Sequence, residues 1–470
     1  MTYDVFNKCR QMSGASDQNQ DRQTTPPASA EPRAGRSPRI WRRWWLIAAI
    51  VLVPAVFAAQ WYTSREWGFD RAREAAGRRR WEEARQHLAR YLELHPNSSQ
   101  ARLLMAEALV KEKGTRPTEA IPQAIEHLRR VDGSPQDIAT AKLQIARLSF
   151  LVLKKPGQAE RELQEALALD PRSFDANVLM WKLLDLTGRH ELAGDYFWQA
   201  FEVADESQHP VLLRDWFLSE FYPETGNDNF YSIFGAQKIG KIPASVNLLV
   251  RLRESEPEAV VLHAALAAYY LENGVPTSSL ELLKEAPDLS AAMHDAFFVS
   301  VLLEALVDLG EFEKAEDCFR KFPQPHEGYL YWRSEGLFQQ TVADDAAAAI
   351  KSYEKCLQMA AGKFDWGLMM RLSECLRKVG RADEAQEIQT RVNYLTTQAL
   401  TEERAQDLRE RLRNLNDPGV AGDVGDLYRE FGKSREASAW EELHQRLLRH
   451  QTGEERSVSG GPSPATSAKP

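Results

Sequence analysis

Apolar residues return at helical spacing along most of the chain, in pairs of segments joined by short turns. The first pair begins near residue 65, and its second segment places Ala84, Leu88 and Tyr91 on one helical face before Pro96 ends the helix. Units of about 34 residues follow one another to about residue 450. Since one pair cannot bury its apolar stripe alone, the pattern predicts an all-α array of stacked helix pairs.

Two consecutive stretches carry the repeat most clearly. Residues 159–171 place small and large apolar residues at helical spacing and end in Asp170-Pro171. The next unit has its small and large residues at Trp181, Leu184, Gly188, Ala193, Phe197 and Ala200. This pattern resembles the tetratricopeptide repeat (TPR) family, and we count about eight or nine units. The resemblance implies a right-handed superhelical solenoid of TPR-like helix pairs.

An uncharged apolar stretch at residues 44–62 precedes the repeats. At about 1.5 Å per residue it is long enough to cross a bilayer core of about 30 Å. Trp44 and Trp61 stand near its two ends, where aromatic rings favour the headgroup zone. We predict a single transmembrane helix here. A cleaved signal peptide ending near Ala58 and a buried soluble helix are the alternatives.

Basic residues on the two sides of this stretch predict its orientation. Arginines crowd the N-terminal flank at Arg33, Arg36, Arg39, Arg42 and Arg43. Those that follow alternate with acidic residues, as in Arg65-Glu66. The positive-inside rule then predicts a single-pass protein of the cell membrane. Its N-terminus would be cytoplasmic and its repeat domain would lie outside, in the periplasm or the extracellular space.

The same patterns divide the chain into seven segments. They are a disordered basic segment at 1–43, the transmembrane helix at 44–62, a first TPR-like array at 65–206, an aromatic-rich irregular insert at 207–245, a second TPR-like array at 246–392, C-terminal helices with a degenerate repeat at 393–452, and a disordered tail at 453–470. The insert has two interpretations. Its aromatic residues either fill the core at a joint between the arrays or form a docking patch.

Charge and motif content argue against several functions. The formal net charge is −9 and basic residues are interspersed with acidic ones, so no nucleic-acid partner is predicted. The four cysteines form no CxxC pair, which leaves no zinc site. Gly432-Lys433-Ser434 lacks the earlier glycine of a phosphate loop, because position 427 is Leu. We predict no enzyme activity, no cofactor, no metal and no small-molecule substrate.

The TPR resemblance implies a binding function. In that family the first helix of each pair lines a concave groove that commonly binds protein or peptide segments. The groove positions here would include Lys182, Asp185, Glu374 and Arg377, whose mixed charge differs from the Lys- and Asn-rich clamp of some members. We therefore predict a membrane-tethered scaffold for protein or peptide partners, in contact with the lipid bilayer through residues 44–62. The alternatives are a secreted or periplasmic repeat protein that binds an envelope polymer, and a regulatory subunit of an enzyme complex.

Overall fold

The fold is all-α, as predicted. The computed structural model describes residues 68–114, 116–221, 244–359, 361–399 and 401–452, and these ranges contain helices and turns but no strand. The predicted N-terminal segment, the transmembrane helix and the C-terminal tail at 453–470 lie outside the described residues. So does most of the aromatic-rich insert, from residue 222 to 243.

The chain divides into two compact units, Met1–Val131 and Asp132–Pro470. The described part of the first unit holds α1 (68–77), α2 (Trp81–Leu94), α3 (Ser99–Lys111) and α4 (Pro117–Arg129). Ala84 and Leu88 on α2 are fully buried, on the face that the sequence pattern predicted. Arg85 Nε donates to Glu112 Oε2 at 2.6 Å and joins α2 to the end of α3.

The second unit continues the same arrangement. Its first half holds α5 (Pro135–Arg147), α6 (Pro156–Leu169), α7 (Phe174–Leu186), α8 (His190–Val203), α9 (His209–Phe221), α10 (Ala244–Ser255), α11 (Val260–Glu272), α12 (Pro276–Lys284) and α13 (Leu289–Ala292). Its second half holds α14 (Ala296–Asp308), α15 (Phe312–Arg320), α16 (Gly328–Thr341), α17 (Ala346–Gln358), α18 (Trp366–Lys378), α19 (Ala382–Tyr394), α20 (Glu402–Arg411), α21 (Pro418–Glu430) and α22 (Ser434–Thr452). One-turn π segments follow α5 and α19.

A left-handed residue closes the turn inside each helix pair. In the described residues these positions are Arg79, Gly114, Lys154, Gly188, Gly274, Gly310, Asp344, Gly380 and Gly432, all with positive φ. Glycine suits this conformation because it has no Cβ to clash with the backbone. Three of the turns use a charged residue instead, at a conformational cost. The recurrence defines nine pairs, from α1–α2 to α21–α22.

Aromatic side chains fill the core of the second unit. Phe197 on α8 stacks on Trp216 of α9 at a centroid distance of 4.6 Å, and Trp181 on α7 packs edge-on against Phe197 at 5.2 Å. Trp216 and Phe217 both lie in the predicted insert, and both are buried. For these two residues core filling is therefore the correct interpretation. The other aromatic residues of the insert, from Tyr222 onward, lie outside the described residues.

The predicted membrane localisation requires a correction. Among the residues that the structure describes, no helix is both long enough and apolar enough to cross a bilayer. Apart from α22 these helices have at most 14 residues, fewer than the about 20 apolar residues that a span requires, and α22, with 19 residues, carries charges along its length. This finding overturns the prediction of a single-pass membrane protein with the repeats outside. The segment on which that prediction rested, 44–62, lies outside the described residues.

Candidate functional site

The first helices of three consecutive pairs form one continuous face. Ser334 Oγ on α16 donates to Ser300 Oγ on α14 at 3.1 Å, and Gln340 Nε2 on α16 donates to Glu374 Oε2 on α18 at 3.1 Å. In each case the partners are 34 residues apart. Equivalent positions of successive first helices therefore touch, as expected for a repeat of this period. We call the surface carrying Glu304, Arg333, Gln340, Arg371 and Glu374 the first-helix face.

A ladder of ion pairs runs across this face. Arg333 Nη1 on α16 donates to Glu304 Oε2 on α14 at 2.8 Å, and its Nε donates to Asp365 Oδ2 before α18 at 3.0 Å. Arg371 Nη2 on α18 also lies 3.6 Å from Glu304 Oε1. Each carboxylate of the ladder thus has a guanidinium partner, which offsets the cost of partial burial. Three repeats are joined by charge as well as by apolar packing.

The ladder holds its acidic groups ionised. Burial alone would raise the pKa values of Glu304 and Asp365, but Arg333 overrides this and lowers both. Glu304 and Asp365 together raise the pKa of Arg333 still further. Tyr329 donates its hydroxyl to Asp365, and burial raises the pKa of Tyr329 so that it remains a donor. The face therefore keeps a fixed charge pattern at neutral pH.

Charged groups at the start of α8 interact with those of α14 and α16. Burial lowers the pKa of Arg189, but Glu160, which accepts from Arg189 Nη1 at 2.7 Å, raises it, and Asp295, which caps α14, adds a smaller contribution. Burial raises the pKa of the neighbouring Glu191, and Arg333 on α16 opposes that shift. Asp308 near the end of α14 and Glu374 on α18 are exposed.

The four residues predicted for the groove fall into two pairs with different surroundings. Glu374 and Arg377 are exposed together on α18. Lys182 Nζ lies 3.6 Å from Asp215 Oδ2 of α9, so its charge is engaged inside the array. His190 Nδ1 lies 2.7 Å from Asp185 Oδ1, and although burial opposes protonation, this carboxylate raises the pKa of His190 to about 9. Only the α18 pair is open to solvent.

Sequence reasoning missed the residues that organise the face. Glu304 and Arg333 stand 29 residues apart, and Asp365 follows 32 residues later. Two charged residues of opposite sign separated by nearly one repeat length could have indicated these ion pairs, because equivalent positions of stacked repeats meet. Arg371 follows Glu304 by about two repeat lengths, so the same signal extends to it.

The described residues show no arrangement suited to metal or thiol chemistry. No group of three His, Cys, Asp or Glu among them could hold a metal ion. Cys318, Cys356 and Cys375 are buried in helices, and burial raises the pKa of the first two to about 12 and of the third to about 11. These thiols therefore stay protonated and unreactive at neutral pH.

Comparison with known families agrees with the repeat geometry. Residues 69–137 match the tetratricopeptide repeat family model. The match covers the start of the array, and the described residues beyond it continue as helix pairs. No curated protein matches the sequence.

Similar solved structures include the Cut9–Hcn1 hetero-tetramer of the APC/C, with 13% identity over 82% of this chain and 76% of that chain and a TM-score of 0.32. The TPR domain of P58(IPK) has 15% identity over 83% of this chain and 99% of that chain, with a TM-score of 0.23. PilF of Pseudomonas aeruginosa has 16% identity over 48% and 92%, with a TM-score of 0.23. TM-scores this low assign neither a partner nor an activity.

Proposed function

We propose that the protein is a non-catalytic scaffold that binds an extended protein segment along the open part of its first-helix face. TPR repeats in general suggest protein binding, and on this chain we assign that binding to the first-helix face. The observation that carries it is the ladder of Glu304, Arg333 and Asp365, which fixes charged side chains of both signs beside the exposed Asp308 and Glu374. A surface prepared in this way loses little side-chain entropy when a partner docks.

The kind of segment follows from the pattern of charge. At the exposed end of the face the acidic residues Asp308 and Glu374 lie with the basic residue Arg377. A partner of complementary, mixed charge would pair with each in turn, whereas a uniformly acidic or basic one would meet repulsion. Glu374 and Arg377 are the proposed contacts on α18. Lys182 and Asp185, already paired within the array, are proposed as supporting residues at the other end.

A peptide-display experiment tests this proposal. The full chain would be panned against random peptides, and affinities of the enriched peptides would be measured by fluorescence anisotropy. Glu374→Lys and Arg377→Glu should each weaken binding about tenfold, which corresponds to the loss of one well-placed charge contact. Lys351→Glu, an equally exposed charge reversal on the second helix α17, is the matched control.

Two results would count against the proposed site. One is that affinities fall for Lys351→Glu and not for the α18 variants, which would place binding on the second helices. The other is that no enriched peptide responds to any of the three reversals. Reversing the complementary charge in a peptide should restore its affinity for the corresponding α18 variant, which distinguishes direct contact from a general loss of folding.

A further inference from the structure

The first two helix pairs are basic, although the chain as a whole is acidic. Residues 68–131 contain thirteen Arg or Lys and nine Asp or Glu, which gives this part a formal net charge of +4. The whole chain carries −9. A local charge opposite to the overall charge favours a partner of a different kind from those that suit the remaining chain.

Five of these positive charges lie at the turns inside the two pairs. Arg78, Arg79 and Arg80 form the turn between α1 and α2, and all three are exposed. The turn between α3 and α4 carries Lys113 and Arg116, which are exposed as well. We call these five residues the basic edge.

The repeat geometry brings the two turns together. Arg79 and Lys113 are 34 positions apart, which is one repeat length, so they occupy equivalent places in stacked repeats. Lys111 Nζ, at the end of α3, lies 4.9 Å from the ring centroid of Trp81, the first residue of α2. The end of α3 therefore touches the residue that directly follows the first turn, and the five cations lie along one edge of the unit.

Three residues of the basic edge have no acidic partner. Within the part of the chain that the structure describes, Arg79, Lys113 and Arg116 form no ion pair with an acidic side chain. Arg79 also has a φ of +59°, in a turn that most of the other pairs close with glycine. A side chain raises the free energy of this conformation, so Arg79 presents a cation where glycine would suit the backbone better.

The other two arginines are only weakly neutralised. Arg78 Nη2 lies 2.7 Å from Glu74 Oε1, and Arg80 Nη1 lies 3.1 Å from Glu83 Oε2. All four side chains are about half exposed, so water screens both pairs and they contribute little energy. A guanidinium group has five N–H donors, and most of these remain available to a ligand.

The arrangement of charge along this edge indicates the chemistry of its partner. Guanidinium groups bind carboxylates through two parallel hydrogen bonds. Glu74, Glu83 and Glu112 lie beside the cations and would repel a continuous polyanion such as nucleic acid. An extended segment that carries its Asp and Glu residues at intervals can meet the cations and avoid these three side chains.

We propose that the basic edge binds an acidic protein segment, rich in Asp and Glu. The basic edge consists of other residues than the first-helix face, and the proposal does not depend on binding at that face. Asp308 and Glu374 are exposed on the first-helix face and would repel such a segment, so the two surfaces select different partners.

Binding of an acidic peptide to the full chain tests the proposal. The probe is a fluorescein-labelled peptide in which Glu and Gly alternate, and its affinity would be measured by fluorescence anisotropy at low salt, where exposed charges are least screened. Arg79→Gly, Lys113→Gln and Arg116→Ser together remove the three unpaired cations. This triple variant should bind about thirtyfold more weakly, which is about threefold for each exposed contact.

The three substitutions suit the local backbone, so a loss of binding does not reflect a loss of folding. Glycine accepts the positive φ of Arg79, and serine is a favoured N-cap residue at Arg116, which caps α4. Lys113 lies in an exposed turn, where glutamine fits without a new contact. Helical circular dichroism of the variant should match that of the unaltered chain.

A second triple variant with the same change in net charge is the matched control. Arg172, Lys284 and Lys351 of the second unit are exposed, and in the described ranges they also form no ion pair with an acidic side chain. Arg172→Gln, Lys284→Gln and Lys351→Gln together should leave the affinity for the acidic peptide unchanged.

Four results would overturn the proposal. One is that the unaltered chain does not bind the peptide even at low salt. Another is that the variant of Arg79, Lys113 and Arg116 binds as tightly as the unaltered chain, which would place the peptide elsewhere. An equal loss in both triple variants would show that net charge alone is responsible. Tighter binding to duplex DNA or to phosphatidylserine vesicles than to the peptide, lost in the same variant, would assign the edge to another class of anion.

Discussion

The substitution Gly336→Ala probes how closely two helices of one repeat approach each other. Gly336 is buried on α16, directly against the ring of Tyr353 on α17. A Cβ atom at position 336 would lie 2.3 Å from Cε1 and 2.5 Å from Cδ1 of that ring. Ordinary van der Waals contact begins near 3.4 Å, so the ring would have to retreat by about 1 Å.

The cost of this retreat follows from what surrounds the ring. Tyr353 is fully buried and donates its hydroxyl to Gln340 Oε1 at 2.8 Å. Overpacking of this kind costs about 1–3 kcal/mol, and loss of the hydrogen bond adds about 1 kcal/mol. Alanine stabilises a helix by about 1 kcal/mol relative to glycine, which offsets part of this cost. We therefore expect Gly336→Ala to lower the free energy of unfolding by about 1–3 kcal/mol.

A second background isolates the contact from all other effects. In Tyr353→Leu the ring is absent, so the same Gly336→Ala change should be neutral or stabilising by up to about 1 kcal/mol, because only helix propensity remains. Stability would be followed by urea unfolding at 222 nm together with hydrogen exchange of peptides from 328–358. Long repeat arrays unfold in stages, and the peptides report the affected pair directly. A neutral Gly336→Ala, or an unchanged cost in the leucine background, would refute the reasoning.

Three further predictions follow from single residues. Gly310→Ala should destabilise the protein by about 1 kcal/mol in thermal unfolding, because Gly310 has a φ of +72°, although no atom would contact the new Cβ. Gly77→Ala is the control, because its Cβ would also meet no atom and its φ is not positive, and it should not destabilise the protein. Asp185 raises the pKa of His190 to about 9, so the stabilisation that protonated His190 contributes should be complete below pH 6.5 and disappear as pH rises through about 9. NMR titration of His190 measures this pKa. His190→Gln should remove this pH dependence of stability. Ser134→Ala should cost about 1 kcal/mol in chemical denaturation, because Ser134 caps α5 in a capping box; an unchanged midpoint would contradict this.

The sequence predicted helix pairing well because the pattern of small and large residues is local. Ala84 with Leu88, and Trp181 with Phe197, are buried on the faces that their spacing indicated. Gly188, a position of that pattern, lies in a left-handed turn, as Gly310 and Gly380 do, and glycine after a helix is a strong stop signal. Nothing so local marked Arg79, Lys154 and Asp344, which take the same conformation without glycine.

The candidate site was only partly predictable, because it depends on which repeats meet across space. Glu374 is exposed on the first-helix face, but the side chains that hold this face together come from neighbouring repeats and had no motif of their own. Lys182 and Asp185 looked equivalent to Glu374 and Arg377 by position in the repeat. Their engagement by Asp215 and His190 depends on contacts that a repeat pattern does not encode.

The distant contacts of the pair α21–α22 with α9 also affect how the chain folds during synthesis. In an array held together by neighbours alone, each pair can fold as soon as it leaves the ribosome. Here the face of α9, with Phe217 and Phe221, waits for more than 200 further residues before Tyr428 and Lys433 arrive to cover it. At about 5–20 residues per second this takes roughly 10–40 seconds, during which an apolar surface is uncovered and open to chaperones or to aggregation. Because α21–α22 is synthesised last, the rate at which it folds determines how long the face of α9 stays uncovered.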